Sequence, residues 1–330
     1  MRFDIRYRTV FTYTEPVSES QNELRACPVT DDCQRLLDYR VLVHPHARVF
    51  SYRDHWATRV DSFGLRRAHA AMEVVADASV ETRPRPLPTA APRLAALSDP
   101  AFVDAHIEYL SPSPHAEPGE AVRAAAHRQL DLAGPDVVGV VLAIHRFVGS
   151  HLTYAPGSTH VGIGVEDVLA GGRGVCQDFA HLAVAMCRSV GIPARYVSGY
   201  LFTDDDSTGS DPDGGTVVVQ THAWFEAAVP GWGWLALDPT NGQLVGERHV
   251  KIGHGRSYDD VQPQRGVFLG PASSHVRPAV EIRRIDGAEV WRSAGLAQPE
   301  TSAGVSEVFA PTATPLGLGA LRAPQQQQQQ

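Results

Sequence analysis

The sequence predicts an α+β protein in which an antiparallel β domain precedes a mixed core of helices and antiparallel strands. Three patterns carry that expectation. Apolar–polar alternation dominates the first 85 or so residues, alanine-rich helical spacing takes over near residue 120, and alternating strands resume near residue 194.

The alternation begins at once. Phe3, Ile5 and Tyr7 interleave with Arg2, Asp4, Arg6 and Arg8, which gives a strand with one wet face. Tyr39, Val41 and Val43 repeat the pattern and stop near Pro45. Asp61-Ser62-Phe63-Gly64 reads as a turn, and Met72, Val74, Ala76 and Val80 as a further strand. Residues 1–85 are therefore expected to form the β domain. Pro84, Pro86 and Pro88 interrupt regular structure, so residues 86–118 read as a linker with room for a helix.

A core is expected over 119–290. Val122, Ala126 and Leu130 recur at helical spacing between Glu120 and Leu132. Asp136 suits the N-cap of a second helix, whose buried stripe is Val137, Val141, Ile144 and Val148. His145, beside that stripe, reads as a packed or solvent-facing side chain. Gly171-Gly172-Arg173-Gly174 allows a sharp change of direction before Cys176 opens a helix. Ala180, Ala183, Val184 and Cys187 give that helix a small-residue side, and Gly191 and Pro193 end it.

Ala194–Phe202 and Thr216–Val229 read as strands, and a third short strand runs from Trp234 to Asp238. The intervening loop, Thr203 to Gly215, carries Asp204, Asp205, Asp206, Asp211 and Asp213. A calcium loop would need a closing glutamate that is missing, so a solvated hairpin loop is favoured. Val276, Val280 and Ile282 point to further β structure. The stretch 291–330, ending in six glutamines at 325–330, has the composition of a disordered tail.

Three of these segments hold a thiol, an imidazole and a carboxylate. Cys176 lies in the first turn of its helix, where free N–H groups and the dipole favour a thiolate and can serve an oxyanion. His222 lies within a strand, a rigid support for a base. The Trp232-Gly233-Trp234 turn brings the chain back antiparallel and sets Asp238 beside His222. That set suits covalent attack on an amide or ester carbonyl. Gln177 and Trp224, neighbours of the nucleophile and the base, are candidates for contact with substrate or oxyanion; Trp224 reads equally as a shield or as a core aromatic. The same three residues could hold zinc, but no close ligand pair supports it, and no metal or cofactor is expected. His181 points away from Cys176 on an ideal helix, and Cys187 belongs to the core.

Composition narrows the partners. A formal charge of −8, with Lys251 as the sole lysine and no basic run, argues against nucleic acid. No stretch of eighteen apolar residues exists to span a membrane, and the start lacks the apolar region of a signal peptide. Four scattered cysteines, 27, 33, 176 and 187, fit a reduced compartment, so a cytoplasmic location is expected.

The segment Arg173 to Tyr200, with Gly-Val-Cys-Gln-Asp-Phe-Ala-His-Leu and Gly-Ile-Pro-Ala-Arg-Tyr-Val-Ser-Gly-Tyr, resembles the transglutaminase-like superfamily and its bacterial two-domain members. Thr221 to Trp224 and Trp234 to Gly242 continue the resemblance. Tyr13 to Val17, Asn22 to Arg25 and Asp61 to Gly64 resemble that family's N-terminal β domain, and His249 to Gly270 its end region. The resemblance implies a papain-like, transglutaminase-like cysteine catalytic core, with Cys176 as nucleophile, His222 as base and Asp238 as orienting acid. It also makes Tyr154 the candidate for an upstream oxyanion donor. Such cores serve cross-linking enzymes, proteases, amidases and peptide N-glycanases, so acyl-enzyme chemistry is implied and the acceptor is not. Hydrolysis of a peptide or isopeptide-like amide in a peptide or protein substrate is favoured, because no amine site is visible and a cytoplasmic enzyme has little need to cross-link. Amine transfer to a glutamine acyl group and an inactive peptide-binding scaffold are the alternatives.

Overall fold

The computed structural model describes residues 1–160, 162–203, 216–219 and 221–285. Most of the acidic loop, from Asp204 to Gly215, and the tail from 291 to 330 lie outside the described residues.

Six strands open the chain: β1 (Arg2–Val17), β2 (Glu19–Leu24), β3 (Gln34–His44), β4 (Val49–Arg53), β5 (Arg59–Leu65) and β6 (His69–Thr82). Within the expected linker, Asp99 caps α1 (Pro100–Leu110) by accepting from the N–H groups of Ala101 and Phe102. Next come α2 (Glu120–Ala133), α3 (Val137–His151), β7 (Thr153–Tyr154), α4 (Val165–Gly171), β8 (Arg173–Gly174) and α5 (Cys176–Ser189). Asp136 caps α3 through the N–H of Gly139, as its sequence position predicts. The remaining strands are β9 (Ala194–Leu201), β10 (Thr216–Val219), β11 (Thr221–Val229), β12 (Gly233–Asp238), β13 (Gln243–Leu244), β14 (His249–Gly255), β15 (Gln264–Leu269) and β16 (Ser274–Arg284).

The central antiparallel sheet has the order β13-β12-β11-β9-β14. Helices α2, α3 and α5 pack on it around a core that includes Val122, Val141, Ile144, Leu182 and Phe225. α5 is the innermost helix; Phe179 to Cys187 are all buried in it. An antiparallel β region followed by a helical, papain/transglutaminase-like core is thus the observed architecture.

Three expectations need correction. Asp61 to Gly64 is part of β5, not a turn. Asp61 is fully buried in the sheet because Tyr39 Oη, Ser51 Oγ and Arg59 Nε all donate to its carboxylate, which removes the need for water that a turn would supply. Second, the strand expected over 216–229 is divided: β10 pairs with β16, whereas β11 pairs with β9 and β12. Third, the last strands of the stretch 119–290 do not stay with the core. β16 lies along β1, with Ile5 opposite Ile282 and Tyr7 opposite Val280, and β15 lies along β2.

The two N-terminal sheets, β10-β16-β1-β6-β3 and β15-β2-β5-β4, share one apolar cluster. Tyr200, Val250 and Ile252 from the central sheet, with Phe202 just past β9, join the same cluster. The two regions are therefore packed through side chains as well as joined by chain. Among the described residues no helix is long and apolar enough to cross a membrane.

Candidate active site

The start of α5 is built by three short-range devices. β7 and β8 run parallel, with Tyr154 opposite Gly174. The Asp178 carboxylate folds back and accepts from the Val175 N–H at 2.8 Å and from Thr159 Oγ1 at 2.6 Å. Gly174 leaves room for this, since a Cβ there would lie 2.7 Å from that carboxylate oxygen. Cys176 then occupies the first helical position, buried among Ala180, Tyr196, Ala223, Tyr258 and Val261.

His222 stands opposite Gly199 on β11. Its Nε2 donates to Asp238 Oδ2 at 2.8 Å. That bond leaves Nδ1 as the nitrogen available to sulfur, and Cys176 is a hydrogen-bond partner of the ring. Burial opposes charge on His222. The hydrogen bonds with Asp238 and Cys176 outweigh it and raise the imidazole pKa to about 10.

Asp238 closes β12 with no exposed surface. Its Oδ1 accepts from the N–H groups of Thr240 and Asn241 at 3.1 and 3.3 Å. Its Oδ2 accepts Asn241 Nδ2 at 2.7 Å and His249 Nε2 at 3.1 Å besides His222. From α3, His145 Nε2 reaches the Asp238 main-chain oxygen at 3.1 Å. Burial favours the protonated acid here, but the donors His222, His249 and Asn241 hold it well below the ordinary carboxylate range. An ionised carboxylate in this position can orient the ring of His222 and support its positive charge.

The nitrogens of His222 and His249 and a carboxylate oxygen of Asp238 lie within 4.8 Å of one another. A metal on His249 Nε2 would leave the ring proton on Nδ1. That atom accepts the Gly246 N–H at 3.2 Å, so the proton would face a donor. The cluster fits a hydrogen-bonded set better than a zinc site.

The weaker candidates fall in different places. Tyr154 is half exposed, and burial together with the charge of nearby Cys176 raises its phenol pKa. Gln177 is buried in the first turn of α5. Trp224 is entirely buried; its ring packs edge-on to His249 at 5.3 Å. His181 accepts from the Tyr258 N–H and stacks on Tyr196. Cys187 is in the core.

Asn241, His249, Asp178 and the backbone contact of His145 escape a reading of the sequence. Asn241 had a signal: in Asp238-Pro239-Thr240-Asn241 an aspartate can accept N–H groups two and three residues on. His249 had none, because its approach to Asp238 depends on β14 pairing with β9 at the far side of the sheet.

Gly199 is fixed by this packing. A Cβ there would meet the Val250 carbonyl oxygen and lie 2.5 Å from the Trp224 ring. Gly199→Ala is expected to lower unfolding free energy by about 1–3 kcal/mol and to displace Trp224, measurable by urea denaturation followed through tryptophan fluorescence.

A buried thiol at a helix N-terminus beside a hydrogen-bonded imidazole–carboxylate pair, on a helix-covered antiparallel sheet, defines a class of papain-like cysteine-enzyme folds. The chain belongs to the transglutaminase-like superfamily. Residues 123–239 match its core, and residues 3–81 match the bacterial transglutaminase-like N-terminal region. The uncharacterized protein ML0607 of Mycobacterium leprae is 35% identical over 284 residues, 86% of this chain and 99% of that one. A crystal structure from Cytophaga hutchinsonii, described as a candidate cysteine protease, shares the fold at 24% identity. It covers 88% of this chain and 93% of its own, with a TM-score of 0.66. A protein-glutamine gamma-glutamyltransferase of Pseudomonas aeruginosa is 38% identical over 89 residues, 26% of this chain and 12% of its own length.

The cytoplasmic expectation is withdrawn. Solved structures matched by this chain include the periplasmic domain of TgpA from Pseudomonas aeruginosa, at 20% identity over 70% of this chain and 73% of that one, with a TM-score of 0.37. Sparse cysteines and the character of the first residues do not assign a compartment.

Proposed function

We propose that the protein is a cysteine-dependent acyl-transfer enzyme that hydrolyses a peptide or isopeptide-like amide through a thioester on Cys176. The observation that carries this reading is the 2.8 Å hydrogen bond between the His222 imidazole and the buried Asp238 carboxylate, on a ring whose pKa that bond and Cys176 raise. With the Sγ proton already held by His222, the Cys176 thiolate bonds to the carbonyl carbon and the carbonyl electrons move onto oxygen. N–H groups at the first turn of α5 and the half-exposed Tyr154 are the donors we assign to that oxyanion. When the tetrahedral intermediate collapses, the C–N bond breaks and the leaving amine takes the proton from His222. Water, deprotonated by the same imidazole, then attacks the thioester; acid is released and the thiol is restored.

A second reading, transfer of a glutamine acyl group to an amine, is favoured by the similarity to the gamma-glutamyltransferase over 26% of the chain. The two readings differ only in what attacks the thioester. A peptide library incubated with and without an added primary amine, read by mass spectrometry, separates them. Hydrolysis is expected to give acid products in both conditions, with none from Cys176→Ala. Amine-bearing products without acid would replace hydrolysis by transfer, and an unreacted library with no adduct at Cys176 would leave a peptide-binding scaffold.

A further inference from the structure

Two imidazoles share one carboxylate oxygen, and the proposed chemistry uses only one of them. His249 Nε2 lies 3.1 Å from Asp238 Oδ2, on which His222 Nε2 also bears at 2.8 Å. The tautomer of His249 is fixed from its other side. Gly246 donates its N–H to Nδ1, so the ring proton sits on Nε2 and the ring is neutral. Only 3% of His249 is exposed, and Trp224 stacks edge-on against it.

We propose that His249 is a positioning residue: a permanently neutral Nε2–H donor that stabilises the charge of Asp238 and tempers its pull on the proton of His222. The inference rests on the acyl-transfer reading given above. With this donor in place, Asp238 can stay ionised without exposure to water. His222 can then release its proton to a leaving group instead of being locked to the carboxylate. A charged His249 would place two cations on one carboxylate and weaken its support for His222.

Burial, together with the charges of His222 and Arg85, opposes protonation of His249, and Asp238 favours it; the balance lies on the neutral side. Around His222 the facing groups are Cys176 from α5, Asp238 from β12, Asn241 from the following turn and His249 from β14.

The test is a pH titration of histidine rings in uniformly ¹⁵N-histidine-labelled full-length protein, with His222 and His249 assigned from their Gln variants. In the wild type, His249 is expected as the neutral Nε2–H tautomer from about pH 5 to about pH 8, and His222 is expected to titrate near pH 10. In His249→Leu the carboxylate loses a donor and holds the shared proton more tightly, so His222 should titrate higher by about half a unit or more. His249→Gln, whose amide can donate to the same oxygen, should return most of that shift.

An unchanged or downward shift in the Leu variant overturns the proposal, as does an equal shift in both variants. If the Leu variant does not fold, the wild-type spectrum decides alone: a charged His249, or one protonated on Nδ1, refutes the role. A wild-type His222 that titrates in the ordinary histidine range overturns this inference, whereas the acyl-transfer reading fails only if the peptide library gives no product dependent on Cys176. A raised His222 indifferent to residue 249 overturns only this inference.

Discussion

Asp238→Asn is expected to lower kcat/KM by about 10³–10⁴-fold and to move the titration of His222 to lower pH. The carboxylate is the leading group that raises the imidazole against its burial. With an amide in its place, burial prevails and the ring favours its neutral form. The change also appears in stability. A histidine raised to about 10 in the fold contributes stabilisation that is complete below its ordinary value. That contribution fades as pH climbs through the folded value. Wild-type protein should therefore lose stability between neutral pH and about pH 10 in chemical denaturation, and Asp238→Asn should lose less over the same interval. Parallel pH profiles for the two proteins would show that the pair does not govern the charge of His222.

Glu226→Gln is expected to produce the largest loss of stability, about 3–5 kcal/mol. Glu226 lies buried on β11 between two cations. Arg195 Nε donates to it at 2.6 Å, and Lys251 Nζ reaches its oxygens at 2.7 and 2.9 Å. Arg195 is also stacked over Trp234, with the guanidinium carbon 3.8 Å from the ring centroid. Removing the charge leaves two buried cations facing each other. Despite burial, Arg195 and Lys251 hold the Glu226 carboxyl well below its usual range. Its contribution is present above the ordinary glutamate pKa and is lost as pH falls toward the depressed one. The variant should thus show both a lower urea midpoint at neutral pH and a shallower loss of stability on acidification. An unfolding free energy within about 0.5 kcal/mol of wild type would mean that the cations find other partners.

How much of this was legible depends on range along the chain. α2, α3 and α5 follow from periodicity, and α3 and α5 also from carboxylates that bond backbone N–H groups within one turn. The pairing of β11 with β12 follows from a tight turn, so His222 and Asp238 could be placed together from sequence. The division between β10 and β11 could not, because continuous β propensity does not say which sheet a residue joins. Asp61 looked like a turn residue until the three donors from β3, β4 and β5 were seen around it. His249 is the same lesson at the site. It meets Asp238 through a strand pairing whose register no local pattern fixes.

The return of β16 to β1 bears on how the chain comes to be folded. During synthesis, Phe3, Ile5 and Tyr7 emerge long before their strand neighbours Val280 and Ile282 are made. One side of β1 must wait as an open hydrogen-bonding margin until residues 274–284 are made. Closing so long a loop is slow, and nascent chains crowded on one message could pair that margin with each other's. A ribosome stalled before residue 274 would release a chain whose first sheet is missing a member, whatever the state of its helices.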